Sequence, residues 1–456
     1  MVLVSINPAT EEILKKFTEW DTKKINTQLI NSQHAFNDWK KVDYSERSKL
    51  LKNIAQILRK NKQKYAHLMT LEMGKPITQS EAEVEKCVWV CEYYAEHGKQ
   101  FLKNEYIDTG VNTSYVRFSP LGIILAVMPW NFPFWQVLRC AAPALMAGNV
   151  VLLKHSSNVP QCALTLEGIV SDAGFPHDVF KSLLVGSQAV ENIIKDRRIA
   201  AVSLTGSGSA GRNVATVAGS CPKKVVLELG GSDPFIVLSD AEIDHVVEQA
   251  VTARMINNGQ SCIAAKRFII DQRVFGRFSE GFSQKVQELI VGDPLERTTD
   301  IGPLARKDIL EQLDDQVKQS ILKGARVLTG GKKVHSGPGY YYLPTVLSNI
   351  KKGMPVYEEE VFGPVASLIK VKDSEEAVKV ANDTSYGLGA SIWTTNIKSG
   401  ETLTKDIEAG AVFVNEIVKS DPRLPFGGIK NSGYGRELSH YSMKEFVNIQ
   451  TVYIKK

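Results

Sequence analysis

Between residues 21 and 100 the apolar positions recur at helical spacing, as in Leu50, Leu51, Ile54, Ile57 and Leu58, so several amphipathic helices are expected there. Gly74-Lys75-Pro76 breaks the run. At 121–128 the pattern changes to an unbroken apolar stretch, which predicts a strand buried on both faces of a parallel sheet. A regular alternation follows: strand 150–154, helix 159–172, strand 180–185, helix 188–196, strand 200–205, helix 209–218 and strand 225–229. That rhythm predicts a doubly wound α/β sheet. Residues 234–418 read as a second α/β unit, with helix 241–257, strand 267–270, helix 273–290 and strand 365–371. Two stretches stand apart. Residues 113–118 alternate and look like an exposed strand leaving the main body, and the tail 443–454 ends in the alternating strand Thr451-Val452-Tyr453-Ile454.

At 456 residues the chain is too long for one ordinary core, so two domains are expected. A hydrophobic content of 43% with 23% charged residues excludes a disordered chain. The net charge of +5 is slight, and no basic cluster interleaves with aromatics, so no nucleic-acid partner is expected. No signal-peptide core and no run of about 18 apolar residues occurs, which points to a cytoplasmic protein with no membrane partner. The six cysteines, at 87, 91, 140, 162, 221 and 262, form no paired framework and suit a reducing compartment. Cys87 and Cys91 lie at helical spacing without histidines at ligand spacing, so no metal is expected.

Candidate chemistry gathers where elements end. Pro129-Trp130-Asn131-Phe132-Pro133 follows the first buried strand, and its two prolines fix the backbone so that an amide projects from the strand end. Asn131 is either a turn asparagine or a donor to an oxyanion. Gly206-Ser207-Gly208-Ser209-Ala210-Gly211 is a G-x-G-x-x-G between strand and helix, suited to a pyrophosphate. Glu228, before Leu229-Gly230-Gly231, fits either a ribose ligand or a general base. Cys262, within Asn258-Gly259-Gln260-Ser261-Cys262, sits on a turn between helix and strand, where a thiol can meet a substrate.

Six motifs stand in the order and rough spacing of the NAD(P)-dependent aldehyde dehydrogenases: Pro129-Trp130-Asn131-Phe132-Pro133, Thr205-Gly206-Ser207, Glu228-Leu229-Gly230-Gly231, Gly259-Gln260-Ser261-Cys262, Glu360-Val361-Phe362-Gly363-Pro364 and Pro425-Phe426-Gly427-Gly428. The chain resembles that family over nearly its whole length. The resemblance implies an α/β fold of three parts. These are a Rossmann-type cofactor domain (1–111 and 120–231), an α/β catalytic domain (232–432) and a small β element (112–119 and 433–456) that builds homodimers or homotetramers. It implies Cys262 as nucleophile, Glu228 as general base in place of a ribose ligand, and Asn131 as oxyanion donor. The implied reaction is aldehyde oxidation through a thiohemiacetal and a thioester.

For the cofactor, the resemblance assigns Trp130, Gly206 and Ser207 to the nucleotide, with Ser207 at the pyrophosphate. It places Lys154 at the adenosine ribose and Glu360 with Phe362 at the nicotinamide ribose. The commonest family pattern after the lysine is Lys-Pro-x-Glu, and here the chain reads Lys154-His155-Ser156-Ser157. Serine at 157 removes a carboxylate that would repel a 2′-phosphate, so NADP is expected over NAD, with Lys154 and Ser157 as the discriminating pair. The chain resembles the bacterial succinate-semialdehyde dehydrogenases in particular, which implies Arg139 at the substrate carboxylate, a structural salt bridge being the alternative, and Ser420 is a polar candidate beside it. The chain departs from them at Ile256, where a second family arginine stands, and at Ala264, where some relatives carry a second cysteine; Arg423 is a further polar candidate. The alternatives are a broad aliphatic or aromatic aldehyde dehydrogenase, a CoA-acylating relative, disfavoured by the presence of Glu228, and a non-catalytic binding protein.

Overall fold

The computed structural model describes residues 2–334 and 337–455, so the outer limits of the expected division, residues 1 and 456, lie outside the described residues. Four helices, Thr22–Trp39, Tyr44–Lys60, Lys62–Met73 and Ile77–Phe101, fill the N-terminal region read as helical. Gly74 closes the third in the left-handed conformation. Their apolar stripes, including Leu50, Leu51, Ile54 and Leu58, pack into the same core as the first large sheet.

That sheet has six strands in the order Gly433–Tyr434, Lys224–Glu228, Ile199–Thr205, Ile123–Met128, Val150–His155 and Phe180–Ser182. All are parallel except Gly433–Tyr434, which pairs antiparallel with Lys224–Glu228. From Ile123–Met128 the chain winds outward to one edge, then crosses back to add Ile199–Thr205 on the other side. The order therefore reverses between Ile123–Met128 and Ile199–Thr205, and the loops after these strands, Pro129–Asn131 and Gly206–Ser207, flank the crevice where such folds bind ligands.

The second sheet has seven strands in the order Arg326–Thr329, Thr345–Ser348, Val365–Val371, Arg267–Asp271, Pro234–Val237, Gly389–Trp393 and Ala411–Val414. Only its edge pair, Arg326–Thr329 with Thr345–Ser348, is antiparallel. The central strands Pro234–Val237 and Arg267–Asp271 are buried along their whole length, around the apolar runs 234–237 and 268–270. A third, three-stranded sheet joins Val447–Ile454, Thr113–Pro120 and Glu105–Tyr106. An N-terminal hairpin, Val2–Ile6 with Ile13–Thr18, makes a fourth that the pattern reading did not name.

Several boundaries differ from the sequence reading for local reasons. The helix expected over 241–257 spans Ile243–Met255, because Ile256 turns extended and Asn257 and Asn258 are left-handed. The helix expected over 188–196 is Val190–Lys195 after a turn of 3-10 helix, and the strand expected over 180–185 is Phe180–Ser182. The tail does not stay together. Gly433–Tyr434 joins the first large sheet and Ser439–Glu445 forms a helix with Ser439, Ser442 and Met443 buried, so only Val447–Ile454 belongs to the three-stranded sheet.

Candidate functional site

A cleft of about 660 Å³ opens at the reversal of strand order. Asn131, Glu228 and Cys262 all line it, with Trp130, Lys154, Gly206, Ser207, Glu360 and Phe362. The structure thus brings together groups that lie far apart in the chain. Ser157, Arg139 and Ser420 are not among its lining residues.

The turn carrying Cys262 is built by three successive left-handed residues, Asn257, Asn258 and Gly259. Asparagine tolerates that conformation better than other side chains. At Gly259 a Cβ would collide with the backbone of Gly363. Asn258 donates to the carbonyls of Gly74 (3.0 Å) and Pro303 (2.9 Å) and accepts from the amide of Gly302 (2.9 Å). Arg254, fully buried, donates to the carbonyls of Gly363, Val361 (3.0 Å), Gly259 (3.3 Å) and Ala265 (3.2 Å). One guanidinium therefore joins the cysteine turn to the loop carrying Glu360 and Phe362. Lys266 Nζ donates to the carbonyls of Ser261 (2.9 Å) and Cys262 (2.6 Å). Neither Arg254 nor Lys266 was singled out from the sequence, where each reads as an ordinary basic residue beside an apolar run.

The Asn131 loop is equally constrained. Glu83 accepts from the amides of Phe134 (2.8 Å) and Trp135 (2.9 Å), capping the helix Trp135–Ala147, and forms a buried ion pair with Lys75. The Asn131 side-chain amide donates to the carbonyl of Gln260 (3.1 Å), so it faces the cysteine turn. Trp130 packs edge-on against Phe362 with ring centroids 5.7 Å apart.

Burial raises the proton affinity of both the Cys262 thiol and the Glu228 carboxylate. Burial pushes the Cys262 thiol up to about 11, against the fields of Arg139 and Lys266. Burial, and next the Glu437 carboxylate, hold Glu228 well above the usual carboxylate range, with Arg139 and Arg436 opposing. Both Glu228 oxygens are buried without a hydrogen-bond partner among the described residues, and they are directed at the cleft rather than spent on structure. At Gly427 a Cβ would sit 2.7 Å from Glu228 Oε1, so the glycine keeps that space open.

The other end of the cleft fits a dinucleotide. Ser207 caps the helix Gly208–Ser220, accepting from Ala210 N at 3.4 Å, and turns the helix start toward the cleft. A Cβ at Gly211 would lie 2.6 Å from the Leu229 side chain, the close helix-to-strand approach that the third fingerprint glycine permits. Lys154, Arg212 and Arg306 supply positive charge along the lining. Ser156 lines the cleft beside Lys154, whereas Ser157 is exposed on the turn that follows. Glu360 accepts from Gly231 N at 3.0 Å, and a Cβ at Gly230 would strike its carboxylate.

Of the substrate candidates, Arg139 is fully buried, ion-paired with Glu437, within 3.4 Å of Thr205 Oγ1 and stacked on Phe426 at 4.6 Å. Ser420 is buried and accepts from Lys86 Nζ at 2.7 Å. Arg423 points away, paired with Asp421 and stacked on Trp89. Ile256 is partly exposed. Among the described residues there is no cluster of three or more metal-ligating side chains, and no helix is long and apolar enough to cross a membrane.

A doubly wound sheet whose crevice runs from a helix start to a thiol and a carboxylate is an architecture suited to a nucleotide-dependent oxidoreductase. The aldehyde dehydrogenase family model matches residues 2–452, and the chain belongs to that family. It is 50% identical over 454 residues, covering all of both chains, to a probable NADP(+) succinate-semialdehyde dehydrogenase of Synechocystis sp.. It is 47% identical over 457 residues, again covering both chains fully, to a succinate-semialdehyde dehydrogenase [NADP(+)] of Mycobacterium tuberculosis. Among solved structures it matches the succinic semialdehyde dehydrogenase of Streptococcus pyogenes in complex with NADP+, with a TM-score of 0.97, 37% identity and full coverage of both chains.

Proposed function

We propose that this aldehyde dehydrogenase oxidises succinate semialdehyde to succinate with NADP+ as hydride acceptor. The observation that carries the reading is the sharing of one cleft by Cys262, Glu228 and Asn131 with the dinucleotide cradle at Ser207 and Lys154. The names of the relatives in Synechocystis and Mycobacterium support both the substrate and the cofactor.

Cys262 is the nucleophile. Its proton passes to water in the cleft as its sulfur adds to the aldehyde carbon, and the new oxyanion takes a hydrogen bond from the Asn131 amide and from the Cys262 backbone N–H. NADP+ held in the cleft would supply the hydride-accepting ring, and loss of hydride from this carbon would leave a thioester on the sulfur. Glu228 then removes a proton from water as the water attacks the thioester, releasing the acid and the thiol. Burial raises the basicity of Glu228, which equips it to take that proton once a water lies beside it. Trp130, Gly206, Ser207, Glu360 and Phe362 hold the cofactor, and Lys154 with Ser157 takes the 2′-phosphate corner. Of the two candidates for the substrate carboxylate, Arg139 is engaged by Glu437, whereas Ser420 carries only the Lys86 contact.

The three-stranded sheet exposes Tyr106, Ile449, Tyr453 and Ile454, an apolar edge suited to pairing in a homodimer or homotetramer. All six cysteines are free, which suits a cytoplasmic location. The direct test follows NADPH formation with succinate semialdehyde and with butanal. A clear preference for the acidic aldehyde, abolished together with all activity in Cys262→Ala, is expected. Equal kcat/KM on the two aldehydes would refute the substrate assignment.

A further inference from the structure

A second group of side chains lies outside the lining of the nucleotide cleft: Lys86 on the helix Ile77–Phe101, Trp135 and Arg139 one turn apart on the helix Trp135–Ala147, and Ser420. Lys86 Nζ lies 4.6 Å from the centre of the Trp135 ring and donates to Ser420 Oγ at 2.7 Å. Among the described residues it pairs with no carboxylate, although Glu83 stands one turn away, engaged by Lys75 and two backbone amides. The Ser420 hydroxyl accepts from Lys86 and has no acceptor of its own among the described residues, so its hydrogen is free to donate.

The charges here are unbalanced. Arg139 is already compensated by Glu437. Burial weighs most on the Lys86 charge and Arg139 repels it, while Cys87, Glu83 and Cys262 favour it. A half-buried ammonium, a hydroxyl with a spare hydrogen and an opposing guanidinium make a site that gains stability from one added anion.

Taking as its basis the reading that the substrate is an acidic aldehyde, we propose that Lys86 is a specificity-determining residue that binds the distal carboxylate of the substrate together with Ser420. Lys86 supplies the uncompensated positive charge and Ser420 a second donor, while Trp135 holds the ammonium in place through its ring face. The chain thus reads an ω-carboxylate with a lysine and a serine outside the lining of the nucleotide cleft.

The test compares parent, Lys86→Met and Lys86→Arg on succinate semialdehyde and on butanal, which has the same chain length without the carboxylate, with succinate as a competitive probe. In Lys86→Met the ratio of kcat/KM for the acidic over the neutral aldehyde should fall roughly 10- to 100-fold, the scale of a charge-assisted hydrogen bond. The loss should appear in KM and in the inhibition constant of succinate, and Lys86→Arg should recover most of the ratio. A ratio unchanged in Lys86→Met, or a loss shared equally by both aldehydes, overturns the assignment of Lys86 while leaving the substrate reading intact. A parent enzyme without preference for the acidic aldehyde overturns the substrate reading and this assignment with it.

Discussion

The side-chain amide of Asn257 donates to the backbone carbonyl of Asn131 at 2.8 Å and to that of Gln260 at 2.9 Å, locking the cysteine turn onto the Pro-Trp-Asn loop across 126 positions of sequence. Asn257 is itself left-handed, at φ 58°, so one residue satisfies both the turn and the bond. Asn257→Ala removes the donor and strains the backbone, and a loss of about 1–3 kcal/mol is expected. Urea unfolding measures it. The same variant should lower kcat by misplacing the Asn131 amide, and full stability with full activity would show that the contact fixes nothing.

Cofactor choice rests on the corner Lys154-His155-Ser156-Ser157. Ser157→Glu places a carboxylate on the exposed turn beside Lys154, where it repels a 2′-phosphate. The ratio of kcat/KM for NADP+ over NAD+ should fall by about tenfold or more, with unchanged thermal stability because residue 157 is exposed. An unaltered ratio would move the discrimination to Ser156, which lines the cleft.

His155 ties the strand before this corner to the Asn131 loop. Its Nε2 lies 2.8 Å from the Pro133 carbonyl, and its Nδ1 lies 2.9 Å from Ser156 N and 3.2 Å from the Met128 carbonyl; accepting from Ser156 N needs the neutral ring. Burial pushes it down to about 4, so the unfolded chain takes up this proton near pH 6.5 and the native state does not. Stability is thus present above about pH 6.5 and lost as pH falls toward about 4, by about 3 kcal/mol over the window. Comparing the parent with His155→Asn in urea at about pH 7 and about pH 4.5 checks it. The parent's disadvantage on acidification should shrink in the variant, and identical losses would contradict the assignment.

Glu228 gives a pH dependence of opposite sense. Its carboxyl is raised by burial, so above about pH 4.3 the unfolded chain releases a proton that the native state keeps. Unfolding free energy therefore falls as pH rises above the ordinary carboxylate range. Glu228→Gln does not titrate, so its stability relative to the parent should grow as pH rises from about 4.3. A constant difference between the two would place the native carboxyl in the ordinary range.

The parallel sheets were legible because strands buried on both faces carry continuous apolar runs, as in 123–128 and 268–270, and because helices alternate with them. The cleft was legible in outline because glycines, prolines and chemistry-bearing side chains cluster at strand ends. What stayed hidden depends on partners distant in sequence. Arg254 and Lys266 look like surface charges until the carbonyls of the cysteine turn are seen around them. Lys86 falls on an amphipathic helix where a solvated lysine is the ordinary expectation, and only Trp135 and Ser420 set it apart. Gly433–Tyr434 is too short to show a period, yet it seals the sheet edge beside Glu228.

The most direct test of a shared site mixes Glu228→Gln with NADP+ and succinate semialdehyde and follows NADPH through the first turnover. If Cys262 attacks and Glu228 activates water, about one NADPH per thiol forms in a burst, after which the acyl group stays on the sulfur and turnover nearly stops. Steady turnover at the parent rate, or no burst while the variant remains folded, would contradict the division of labour between the two residues.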